Sequence, residues 1–142
     1  MNKVTLLPAD IYQVINKSLL SEMDKLVLNM LYMPIIGNTS VTLYNILYNE
    51  LKANNYISSE LTHHHLMTNL GDTLENIKEA RIKLEGVGLI KTYVKEGNVN
   101  SYVYELYSPL SVSEFFNHPI LNIVLYNNLG VNEYNNLIKS YK

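Results

Sequence analysis

Three consecutive histidines, His63-His64-His65, invite a metal reading, because imidazole is a common metal ligand. Neighbouring residues on a helix point about 100° apart, so the three cannot converge on one ion. No Cys, Asp or Glu stands beside them at a ligand spacing such as H-E-x-x-H. The expectation is no metal and a helix surface with one or two partly buried imidazoles. The chain also lacks a phosphate-binding loop, a G-x-G-x-x-G and a G-x-S-x-G. Asp10, Glu22 and Asp24 read as acidic residues at helix starts, where they cap. No nucleophile–base pair can be assembled from motifs, so the chain is expected to be no enzyme and to need no cofactor.

Residues suited to nucleic acid form a second group. On a helix beginning near Thr73, Lys78, Arg81 and Lys83 could meet phosphates, and Asn76 could reach a base edge. Glu75, Glu79 and Glu85 on the same helix repel phosphate, and Glu75–Lys78 and Glu79–Lys83 pairing on a solvated face is the simpler account. Lys91 and Lys95, with Asn98 and Asn100 near a hairpin tip, are the better phosphate contacts. Twelve tyrosines stand against two phenylalanines and no tryptophan. Tyrosine stacks on bases and is enriched at protein interfaces. Tyr44, Tyr48, Tyr93, Tyr102, Tyr134 and Tyr141 are the interface candidates, some of the strand tyrosines being expected in the core.

The elements that position these residues are legible in the local pattern. Ser21, with Asp24 in the first turn, starts a helix carrying Met23, Leu26, Val27, Met30 and Leu31 as one apolar stripe, ended by Pro34 and Gly37. A second helix is expected over Thr39–Ala53, with Leu43, Ile46, Leu47 and Leu51 inward, Tyr44 and Tyr48 on a flank, and Asn54-Asn55 closing it. A short helix over Thr62–Leu70, a Gly71-Asp72 turn and a helix over Thr73–Glu85 make a helix-turn-helix. Asp72 and Glu75 have capping-box spacing. Gly86 and Gly88 stop the helix, and Leu89–Lys95 and Val99–Tyr107, joined by Glu96-Gly97-Asn98, read as a hairpin. Helix plus hairpin is the recognition-helix-and-wing half of a winged helix. Ser111 and Glu114 form a further capping box, Pro119 opens a helix with Ile120, Val124 and Leu125 inward, and Tyr134, Leu137, Ile138 and Tyr141 share one face of the last segment.

The fold class expected is therefore mainly α with a small β-hairpin: a winged helix with additional flanking helices. Residues 1–20 read as an amino-terminal arm, 21–110 as the winged-helix domain, and 111–142 as a helical extension packing on it or on a partner subunit. The last helix stops without a cap, as it would in the front part of a longer protein. At 142 residues the chain is long enough for one real core. No cysteine is present, which excludes disulfides and fits a reducing cytoplasm. No apolar run reaches the roughly 18 residues of a membrane span, and no secretory signal opens the chain. The net charge of −2 weighs against tight phosphate-driven binding. Any DNA affinity is expected to be weak, local, or shared across an oligomer.

Three flanking motifs carry a resemblance: Leu31-Tyr32-Met33-Pro34-Ile35-Ile36-Gly37, Leu84-Glu85-Gly86-Val87-Gly88-Leu89-Ile90, and Pro109-Leu110-Ser111-Val112-Ser113-Glu114-Phe115-Phe116. With the helix-turn-helix and wing between them, the chain resembles the amino-terminal winged-helix domain of the DnaB replication initiation and membrane attachment proteins of low-GC Gram-positive bacteria, the DnaB/DnaD primosomal family. The likeness runs from Leu7-Pro8-Ala9-Asp10 to Leu129-Gly130. It implies a non-enzymatic role in primosome assembly, with self-association as a dimer or tetramer. The partners it implies are primosomal proteins such as DnaD, the helicase loader and the replicative helicase. It implies a cytoplasmic location, with nucleoid or membrane contact only through partners or a further domain. A sequence-specific DNA-binding transcriptional regulator is the alternative that the helix-turn-helix leaves open.

Overall fold

The computed structural model describes residues 5–16, 19–51 and 56–141. Its core is a four-stranded sheet in the order β2-β1-β4-β3, backed by helices on one face. The strands are β1 (Ile11–Asn16), β2 (Leu61–Thr62), β3 (Ile90–Lys95) and β4 (Ser101–Leu106). Strand β1 runs parallel to β4 over its whole length, from Ile11 opposite Ser101 to Asn16 opposite Leu106, and pairs antiparallel with β2. This corrects the reading of residues 1–20 as an arm: Ile11–Asn16 is an inner strand of this chain's own sheet. Alternation decides its faces, with Tyr12, Val14 and Asn16 buried and Ile11, Gln13 and Ile15 on the open side.

Among the described residues seven α-helices follow the expected order, beginning with α1 (Glu22–Val27) and α2 (Met33–Asn49), which a π-helical stretch over Leu28–Tyr32 joins into one apolar run. Ser21 caps α1 with a full capping box to Asp24. The break comes at Gly37, whose φ of 85° is open to glycine and strained for other residues. By length and composition Glu22–Asn49 could cross a membrane, which the sequence reading had not expected. Here Gly37 bends it, and Val27, Leu28, Leu31, Ile36, Leu43 and Leu47 form part of the core. Of the apolar stripe read from the helical spacing, Val27 and Leu31 are buried. Met23, Leu26 and Met30 are 53%, 43% and 45% exposed. Asn54-Asn55, the expected end of α2, lies outside the described residues.

The helix-turn-helix is formed by α3 (His63–Leu70), a left-handed Gly71 and α4 (Leu74–Gly86). Thr62 and Thr73 are the caps, each accepting the backbone N–H of the residue three positions on. Thr73, not Asp72, is thus the N-cap of α4, and the expected Asp72–Glu75 box does not form. Ile77, Ala80 and Leu84 pack α4 against the core, chiefly against α2. The wing, β3 and β4, follows directly, closed at its base by Tyr107 N–H donating to Leu89 O.

Beyond it stand α5 (Val112–Asn117), α6 (Pro119–Leu129) and α7 (Val131–Ser140). The Ser111–Glu114 box and Pro119 at the helix start form as expected. Leu121 and Leu125, not Ile120, are the buried residues of α6, and Ile120 is 66% exposed.

Candidate functional site

Every buried position of α4 that the core takes leaves the opposite face to solvent, and that face is where groove reading would occur. Asn76 projects outward, but its amide donates to Asp72 Oδ1 at 2.7 Å, so the group suited to adenine is engaged within the chain. Lys83 and Glu79 are exposed neighbours in a polar recess of about 270 Å³, which Asn76 and residues 36–40 complete. Lys78 is half-buried. The expected Glu75–Lys78 and Glu79–Lys83 ion pairs do not close among the described residues; on this helix Arg81 Nε approaches Glu85 Oε2 at 3.7 Å instead. Arg81 is turned inward over the Tyr102 ring, 5.8 Å from its centroid, and cannot serve a phosphate.

The wing offers its cations more freely. Lys91, Tyr93 and Lys95 alternate onto one exposed face of β3. Lys91 Nζ lies 5.4 Å from the Tyr93 ring centroid, a cation–π contact. Glu105 stands across from Lys91, and its carboxylate accepts the hydroxyls of Tyr93 and Tyr107. That hydrogen bond pushes the Tyr107 hydroxyl up to about 12. Asn98 is exposed at the tip. Asn100 is not a free contact: its side chain accepts the Gly97 N–H to hold the turn, and its own N–H donates to Asp10 Oδ1. Asp10 also accepts the Leu7 N–H, so it ties the first described turn to the wing and caps no helix.

The tyrosines divide sharply. Tyr44 is fully buried and donates to Tyr107 O at 2.8 Å, which corrects its placement on an exposed flank. Burial raises its pKa. Tyr102 is likewise core, on the inner face of β4 beside Tyr104. Tyr48 is half-buried and its hydroxyl accepts the Leu20 N–H. Tyr134 and Tyr141 are half-buried against Phe116 and border a groove between α5 and α7. Tyr93 alone of the six is largely exposed, at 45%.

The histidines part in the same way. His63 is buried, with Nδ1 2.7 Å from Asp10 O and Nε2 2.6 Å from Tyr104 Oη. A carbonyl only accepts, so Nδ1 carries the proton and Nε2 receives the tyrosine hydroxyl. Burial holds its pKa below the ordinary value, against the pull of Asp10 and with the help of Arg81. His65 reaches Glu50 Oε2 at 2.9 Å, and Glu50 also accepts the Tyr12 hydroxyl. His64 is exposed. No group of three metal-ligating side chains occurs among the described residues.

Sequence reasoning missed the exposed apolar positions. Met23, Leu26 and Met30 line one side of α1 and its continuation, and Ile120, Ile123 and Tyr126 line α6. The helical spacing of the first three was visible, but spacing alone does not say which of two apolar faces meets the core.

Comparison with known proteins identifies the family. The family model for the DnaB N-terminal winged helix domain matches residues 6–142. The replicative helicase loading/DNA remodeling protein DnaB of Staphylococcus aureus (strain NCTC 8325 / PS 47) is 32% identical over 136 residues, which are 95% of this chain and 29% of that protein. The crystal structure of primosome protein DnaB (residues 1–300) from Geobacillus stearothermophilus matches with a TM-score of 0.89 at 34% identity, over 97% of this chain and 53% of that one. The chain thus spans less than a third of the first relative and about half of the second.

Proposed function

The chain belongs to the DnaB N-terminal winged helix domain family, and from that premise we propose that it is a non-enzymatic assembly module of a bacterial primosome. In this reading it self-associates and docks primosomal proteins, DnaD and the helicase loader among them, to help place the replicative helicase. It works in the cytoplasm and binds DNA weakly, without a specific site. The observation that carries the reading is the state of α4: Asn76 is held by Asp72, Arg81 is turned into the core, and Glu75 and Glu79 stand beside the remaining cations. A chain of net charge −2 adds little attraction for phosphate. For self-association the surface offered is Met23, Leu26 and Met30, an apolar patch of the kind that marks interaction sites.

Sedimentation of the chain at tens of micromolar is the test, set beside the Met23→Lys/Leu26→Glu/Met30→Lys variant. An oligomer that the variant reduces to a monomer supports the reading, and a strict monomer for both removes self-association. Gel shifts at two salt concentrations test the rest. A specific DNA site with a steep salt slope would replace this reading by that of a sequence-specific regulator.

A further inference from the structure

The sheet ends in an open edge at β3. The Leu89–Tyr107 hydrogen bond sets the ladder: Lys91, Tyr93 and Lys95 bond to β4, so the N–H and C=O groups of Ile90, Thr92 and Val94 face away from it. No strand lies beyond β3 among the described residues. On the solvent side of the same strand, Lys91 and Lys95 flank Tyr93, and neither lysine closes an ion pair among the described residues.

We propose that the β3 edge takes an extended acidic segment of a partner protein by strand addition, its carboxylates meeting Lys91 and Lys95 and its main chain pairing with Thr92 and Val94. Strand addition sets main-chain bonds for affinity and alternate side chains for selection. In the added strand, the residues opposite Lys91 and Lys95 are four apart on one face, with one apolar residue between them over Tyr93. The partner motif is therefore acidic-x-apolar-x-acidic. A second copy is a poor occupant in the register centred on Tyr93, where Lys91 of each copy faces Lys95 of the other. A duplex makes no use of the main-chain row. This inference rests on the docking reading above and adds a surface and a partner chemistry to it.

The test is an amide NMR titration of the full chain with a fluorescein-free synthetic peptide carrying Glu at two positions four apart and Val midway. A peptide with both Glu replaced by Lys, and a 20-base-pair duplex, are the comparison probes. The expected result is a set of shifts centred on Thr92 and Val94, with at least tenfold weaker binding of the lysine peptide. Val94→Pro removes an N–H that faces solvent, which edge strands tolerate, and should abolish peptide binding with the spectrum otherwise retained. Lys91→Glu/Lys95→Glu should reverse the preference between the two peptides, which serves if the proline variant does not fold. The inference is overturned if the peptides bind equally or not at all, if shifts fall elsewhere, or if the duplex alone moves these amides. Concentration-dependent β3 shifts without peptide would assign the edge to a second copy and overturn it also. Each of these failures leaves the assembly reading intact so long as sedimentation still shows an oligomer.

Discussion

His63 fills a site closed to water, between Asp10 O, the Tyr104 hydroxyl and the rings of Tyr12 and Tyr102, with the Arg81 cation close by. Burial favours a neutral ring, Asp10 opposes it, and the Arg81 cation adds to the burial effect. The unfolded chain gains a proton near the ordinary value of 6.5, whereas the folded chain gains it only at lower pH. Stability is then complete above about pH 6.5 and falls as pH drops below it, because the unfolded state binds more protons there. Glu50, pushed up chiefly by burial against hydrogen bonds from Tyr12 and His65, acts in the opposite sense above its ordinary 4.5. Comparison with His63→Phe isolates the histidine. The variant should lose about 1 to 3 kcal/mol at pH 7, because the buried Tyr104 hydroxyl loses its acceptor, whereas Asp10 O keeps the backbone N–H of residue 63. In urea unfolding, its deficit should shrink toward pH 5. An equal deficit at both pH values would show that the ring is not held neutral. Tyr44 gives a second test. Tyr44→Phe should cost about 1 kcal/mol through the lost bond to Tyr107 O and leave the oligomeric state unchanged in sedimentation.

At the scale of elements, short-range chemistry decides where helices begin. Ser21, Ser111 and Pro119 mark starts that the sequence alone announces, since a cap and the N–H groups it satisfies lie within one turn. The start of α4 shows how fine the choice is, for Asp72 and Thr73 are both capable caps. Thr73 holds the position, with extended backbone and Oγ1 accepting from Asn76 N–H at 3.2 Å. Asp72 instead binds the Thr73 N–H and the Asn76 amide, both exposed. Thr73→Ala should therefore cost about 1 kcal/mol. Asp72→Ala should stay within about 0.5 kcal/mol, as surface changes do. Thermal melts of the two variants settle which residue caps, and a larger loss for Asp72→Ala would reverse the assignment.

Across the whole molecule, β1 is the residue run that ties the amino-terminal segment to the helix-turn-helix and the wing. It lies between β2 and β4, 45 residues or more from either partner in sequence, and buries Tyr12 and Val14 in the centre of the core. Removing residues 1–16 should leave a chain without a cooperative thermal transition by circular dichroism, whereas loss of a mere arm would leave the melt intact. The local pattern was enough for the helix-turn-helix, the wing and the family, because caps, turns and helical stripes are written within a few residues of one another. It was not enough for the candidate site. Tyr44 and Met23 both sit at helical spacing, yet one is core and the other exposed. Asn76, Arg81 and Asn100 have the right chemistry for DNA, yet Asp72, Tyr102 and Gly97 engage them. The amino-acid sequence by itself determined the helix-turn-helix, the wing and the helix starts at Ser21, Ser111 and Pro119, but it did not mark β1 or β2 as strands. Only the tertiary structure decided which apolar face is covered, which strand is inner, and which polar side chains remain free. Those outcomes depend on partners distant in sequence, which no local pattern contains.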